Sequence, residues 1–134
     1  MTTSKVEYLG GLRTECTHVK SGETIITDAP TDNNGKGEAF SPTDLVATAY
    51  ASCMLTIVGI YCEKNKIPFV HASAAVKKTM VSNPRRIGKI EIDIDFSKNG
   101  WDKSVQEKII RVGEACPVAK SVSDSTETVF TYAF

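Results

Sequence analysis

The run Ser41-Pro42-Thr43-Asp44-Leu45-Val46-Ala47-Thr48-Ala49-Tyr50-Ala51-Ser52-Cys53-Met54-Leu55-Thr56-Ile57-Val58-Gly59-Ile60-Tyr61-Cys62-Glu63-Lys64 decides the architecture. It opens with a helix start signal. Ser41 can cap the free amides, Pro42 fits the first helical position where no amide donor is needed, and Asp44 completes a capping box while its charge faces the positive helix end. Val46, Ala49, Cys53, Ile57 and Ile60 then recur at steps of three and four, which puts Cys53 on an apolar stripe. At roughly 1.5 Å per residue the helix is about 36 Å long, comparable with the diameter of a domain this size. The spacing predicts a central, buried helix. No residue from Leu45 to Cys62 is charged, but Ala, Thr, Ser, Gly and Tyr dilute the run and a soluble-type cap opens it, so a buried helix is expected rather than a membrane span.

Outward from this helix, the N-terminal side reads as strands. Residues 5–28 give a strand, a kink or turn at Gly10-Gly11, a second strand, a turn at Ser21-Gly22, and a third strand through Glu23-Thr24-Ile25-Ile26-Thr27, an antiparallel meander. Asp28 to Glu38 is a polar, glycine-rich loop. Its Gly35-x-Gly37 pair lacks the third glycine and lysine of a phosphate-binding motif. On the C-terminal side, Pro68 to Met80 reads as a strand, and Ser82-Asn83-Pro84 as a turn. Ile90, Ile92, Ile94 and Phe96 then alternate with Glu91, Asp93 and Asp95, one face for a core and one for solvent. Trp101, Val105, Ile109 and Val112 mark an amphipathic helix over about 101–114, and Thr126 to Phe134 a closing strand. Strands, long helix, strands, short helices and strand in that order predict an α+β fold with antiparallel sheets around the long helix, in a single domain over 1–134.

Lysine plus arginine and aspartate plus glutamate number 16 each, which leaves no electrostatic footprint for nucleic acid and no polybasic patch for a membrane surface. The first residues lack the apolar run of a signal peptide, so a reducing, cytoplasmic location is expected. Cysteines there are free, metal-bound or catalytic. Zinc is disfavoured because Cys16, Cys53, Cys62 and Cys116 include no Cys-x-x-Cys pair and there are only 2 histidines. Cys16 and His18 share a strand face, too few ligands for a tetrahedral site. Cys62 lies about 900° around the helix from Cys53, on the opposite side.

Burial alone makes a thiol inert, so a reactive Cys53 needs a nearby positive charge that its own helix lacks. Cys116 has a different setting. In Ala115-Cys116-Pro117-Val118 the proline suits a first helical position, so Cys116 caps a new turn, where unpaired amides and the helix dipole are expected to lower its pKa.

These residues resemble the OsmC/Ohr family of thiol peroxidases. The likeness is carried by Phe40-Ser41-Pro42-Thr43-Asp44-Leu45 through Ala51-Ser52-Cys53, by Asn83-Pro84-Arg85-Arg86-Ile87, and by Ala115-Cys116-Pro117-Val118 before a final strand. The resemblance implies an intertwined homodimer with active sites at the dimer interface, reducing organic hydroperoxides without a bound cofactor or metal. Cys53 would be the peroxidatic thiolate, oxidised to a sulfenic acid, and Cys116 the resolving thiol that condenses with it to a disulfide. A dithiol reductant, a lipoylated protein in better-known members, would restore both. The family's arginine from the N-terminal strands matches Arg13, which would hold the thiolate. Many members pair that arginine with a glutamate just after the motif proline. Here the position is Thr43, and Glu38 in the loop is the candidate replacement. With cysteines that merely pack, the same dimer would instead bind an apolar ligand or a stress-related partner.

Overall fold

A computed structural model describes residues 1–134 and separates into two compact units, Met1–Val46 and Ala47–Phe134. In the first unit, β1 (Ser4–Gly10), β2 (Arg13–His18) and β3 (Thr24–Asp28) form the expected antiparallel meander. Gly10, Gly11 and Leu12 all have positive φ in the first turn; glycine adopts that conformation freely, while Leu12 at 63° is an uncommon non-glycine case. Val6, Cys16 and Ile25 lie in one row across the sheet, and Arg13 stands opposite Asp28. Of this unit only Thr27, Asp28 and Ser41 are buried, and Val6, Tyr8 and Ile25 are 61%, 67% and 50% exposed. The sheet has no apolar core of its own.

The long helix α1 (Pro42–Lys64) starts with the capping box read from the sequence: the Ser41 amide donates to Asp44 Oδ2 and the Asp44 amide to Ser41 Oγ, both at 3.0 Å. From Ala47 onward it belongs to the second unit, with β4 (Ser73–Val81), β5 (Arg86–Asp95), α2 (Lys103–Glu114), α3 (Pro117–Ser121) and β6 (Glu127–Ala133). The sheet order is β4-β5-β6. The architecture is α+β, as expected, but β5 and β6 run parallel, because α2 and α3 supply the crossover that a parallel pair requires.

The core is built where the alternation indicated. Ile90, Ile92, Ile94 and Phe96 are at most 3% exposed, and the Tyr50 ring of α1 lies 5.7 Å from Phe130 of β6. The α1 face that meets this core differs from the predicted one. Its buried residues are Ala47, Tyr50, Ala51, Met54, Val58 and Cys62, whereas Val46 and Ile60 are 45% and 43% exposed. The helix is apolar on nearly every side, so two stripes repeat at helical spacing and periodicity could not choose between them. Cys53 stands at the margin of the packed face, half-buried.

The strand expected from Pro68 begins only at Ser73. The five residues before it are held by side chains instead: Asn99 Oδ1 accepts from the Val70 amide at 2.7 Å, its Nδ2 donates to the His71 carbonyl at 2.8 Å, and Trp101 Nε1 donates to the Pro68 carbonyl at 2.8 Å. α2 starts two residues after Trp101, capped by Asp102, which accepts from the Val105 amide at 2.9 Å.

Candidate functional site

Two free cysteines of the second unit, Cys53 and Cys116, are electrostatic neighbours. α1 carries Cys53 one residue before Met54, and α2 lies close against the same helix at Gly113, where a Cβ would stand 3.4 Å from Val58 and 3.7 Å from Met54. One residue after that contact α2 ends, and the Cys116 amide donates back to the Gly113 carbonyl at 3.2 Å. Cys116 then takes the N-cap position of α3, with Pro117 first in the helix and the Ala119 amide donating to its sulfur at 3.4 Å. Cys116 is fully buried, and Cys53 is its electrostatic neighbour. Both are free.

The cap geometry is as the sequence indicated, but its electrostatic consequence is reversed. Burial pushes the Cys116 thiol above its ordinary value; the amides of Ala119 and Val118 pull the other way and are outweighed, and the neighbouring Cys53 adds to the rise. A helix cap favours a thiolate only where water or charge also supports it. Burial pushes Tyr50 up, with contributions from Cys116 and Glu114, while Thr128 pulls the other way. Partial burial raises the Glu114 carboxyl. Tyr132 is raised far above its usual value, mainly by burial, and its hydroxyl has no hydrogen-bond partner. Cys62, on the packed face of α1, is raised by burial alone, which suits a structural thiol.

Arg13 is held in the first unit by two carboxylates. Its Nε and Nη2 donate to Asp28 Oδ1 and Oδ2 at 3.4 and 3.3 Å, and Nη2 also donates to Glu38 Oε2 at 3.1 Å. Asp28 is fully buried; the Glu38 backbone amide donates to its Oδ2 at 3.0 Å and, ahead of Arg13, holds the carboxyl below its ordinary range. Glu38 therefore takes the place suggested for it, while Thr43 bonds to the Ser41 hydroxyl at 3.2 Å. The sequence reading missed Asp28, which it assigned to the polar loop. Its strand register opposite Arg13 was the available signal. No group of three or more His, Cys, Asp and Glu side chains is arranged to hold a metal ion.

Among solved structures, a protein of Psychrobacter arcticus provisionally named an osmotic stress induced and detoxification response protein is 47% identical, with a TM-score of 0.94 over 99% of this chain and 96% of that one. The Legionella pneumophila organic hydroperoxide resistance protein OsmC shares the fold at 16% identity, with a TM-score of 0.78 over 100% of this chain and 98% of that one. The same holds for the organic hydroperoxide resistance protein OhrB of Bacillus subtilis, at 15% identity and a TM-score of 0.69 over 98% of each chain. Among curated proteins none matches. The profile of the family described as OsmC-like protein matches residues 35–131, a span that takes in the Glu38 carboxylate, the capping box and both thiols, and the chain belongs to that OsmC/Ohr family.

Proposed function

We propose that this chain is a thiol-dependent peroxidase that reduces organic hydroperoxides by a two-cysteine mechanism, in the defence of the cytoplasm against oxidative stress. The Cys53 thiolate attacks the terminal peroxide oxygen; a sulfur–oxygen bond forms, the oxygen–oxygen bond breaks, and the alcohol leaves once its alkoxide takes a proton. Cys116 then attacks the sulfenic acid sulfur, giving a disulfide and water. A dithiol, such as a lipoylated protein, returns both sulfurs to thiols and is itself oxidised to a disulfide. Arg13 is the cation of this reading. A guanidinium of this kind stabilises a thiolate and a departing oxygen, and Asp28 and Glu38 fix its orientation. Ile57, one helical turn beyond Cys53 on α1, favours an alkyl or fatty-acyl peroxide over hydrogen peroxide. The working unit is a homodimer, in which a second copy covers the apolar face of the N-terminal sheet.

The observation that carries this reading is a pair of free cysteines that are electrostatic neighbours, Cys53 half-buried and Cys116 fully buried. Its test is peroxide consumption with a dithiol reductant. Cys53→Ser is expected to abolish turnover, and Cys116→Ser to allow one oxidation per chain without an intramolecular disulfide. Wild-type rates in both variants would leave the non-catalytic binding module as the better description.

A further inference from the structure

Arg13 meets its two carboxylates on unequal terms. Asp28 stands directly across the β2–β3 pair, accepts from Nε and Nη2 at 3.4 and 3.3 Å, and is fully buried. Its backbone amide donates to the Phe40 carbonyl at 3.0 Å, and its Oδ2 also accepts from the Glu38 amide at 3.0 Å. An enclosed carboxylate that lost its counter-charge would be strongly disfavoured, so Asp28 stays with the guanidinium. Glu38 makes a single bond, to Nη2 at 3.1 Å, and its side chain is 61% exposed. An exposed pair of that kind is weakly held and screened by salt. The backbone there is fixed separately: the Glu38 amide lies on Asp28, and the Gly37 amide donates to the Ala29 carbonyl at 3.2 Å. The Glu38 side chain can therefore swing into water while the loop stays in place.

The charges give that freedom a consequence. Asp28 by itself balances the guanidinium; with Glu38 engaged as well, one cation faces two carboxylates, and the cluster as a whole repels a negative group. With Glu38 withdrawn, Nη2 regains an N–H to donate while Asp28 still fixes the direction of the guanidinium. We propose that Asp28 is the permanent seat of Arg13 and Glu38 its removable cover, a carboxylate that occupies the guanidinium at rest and gives way to the negative group formed in the reaction. This rests on reading Arg13 as the cation of peroxide reduction and adds a restraint on it. The two carboxylates then act in opposite directions: losing Asp28 disables Arg13, and losing Glu38 releases it.

Two measurements test this. Modification of Arg13 by phenylglyoxal, resolved by mass spectrometry from Arg85, Arg86 and Arg111, reads how far the guanidinium is covered. Glu38→Ala is expected to speed it several-fold, and Glu38→Gln, which keeps the size but not the charge, to a smaller degree. Alkylation of Cys53 by iodoacetamide across pH reads the effect on the thiolate. Glu38→Ala is expected to move that profile to lower pH and to raise the rate near pH 7 several-fold, whereas Asp28→Asn moves it the other way. Glu38 is an exposed side chain, so its variants keep the fold and decide the matter even where Asp28→Asn does not fold. Arg13 modified at the parent rate in both Glu38 variants, Cys53 alkylation slowed by Glu38→Ala, or the same direction of shift in Glu38→Ala and Asp28→Asn would each overturn the proposal. Neither assay uses peroxide. A chain that shows both gains yet consumes no hydroperoxide keeps the cover and loses the proposed function, while normal turnover with Arg13 unchanged in its reactivity does the reverse.

Discussion

At the residue scale, one buried carboxylate organises the polar end of the first unit. Asp28 receives the Arg13 guanidinium and the Glu38 amide, and its carboxyl lies below the usual value of 3.8. A depressed folded-state value means that the stabilisation is present above the unfolded-state value and is lost as pH falls through the folded one. Asp28→Asn is therefore expected to lower the melting temperature at neutral pH, by an amount that shrinks once the pH is well below 3.8. Melting curves of both chains from pH 7 to pH 2 check this, and a constant difference across that range would contradict it. Arg13 and both thiols were named from the sequence, because their residue types announce the chemistry. Asp28 was not, since an aspartate at the head of a glycine-rich loop looks like any turn residue until strand pairing sets it opposite an arginine.

Among the elements, the contact between α1 and α2 brings the thiols together. Gly113 leaves room for a Cβ in ordinary contact with Val58 and Met54, but for little beyond it. Gly113→Ala should keep the native packing, whereas Gly113→Val should overpack the contact at a cost of about 1–3 kcal/mol, read from the urea midpoint. The same valine should slow disulfide formation between Cys53 and Cys116 in oxidised samples, because it pushes the end of α2, which leads into Cys116, away from α1. In the loop before α1, Gly35 lies against the Ala29 backbone so closely that no Cβ can be accommodated. Gly35→Ala is expected to displace the loop and weaken the hold of Glu38 on Arg13, seen as faster amide exchange at Glu38, whose N–H bonds to Asp28. Helix starts, the hairpin turns and the alternating strand β5 were legible because each is set by neighbours a few residues away. The buried face of α1 was not: with apolar residues all round, only the sheet that packs on it makes the choice.

For the whole molecule, the first unit is a sheet without a core, and three strands need a covered apolar face for independent stability. In the proposed homodimer a second copy supplies that cover. Val6→Glu combined with Ile25→Glu, two residues of one row on one face, is expected to shift the chain from dimer to monomer in sedimentation at micromolar concentration. Unchanged sedimentation of the double variant would place the interface elsewhere. The α+β order, the capping box and the cap at Cys116 were determined by the chain alone, because local propensity and side-chain chemistry act over short separations. Tertiary structure alone decided that β5 and β6 pair in parallel, that Cys53 and Cys116 become neighbours, and that enclosure outweighs the helix cap at Cys116. Each of these depends on residues distant in the chain and on how far water is excluded between them, and no spacing within a sequence encodes either.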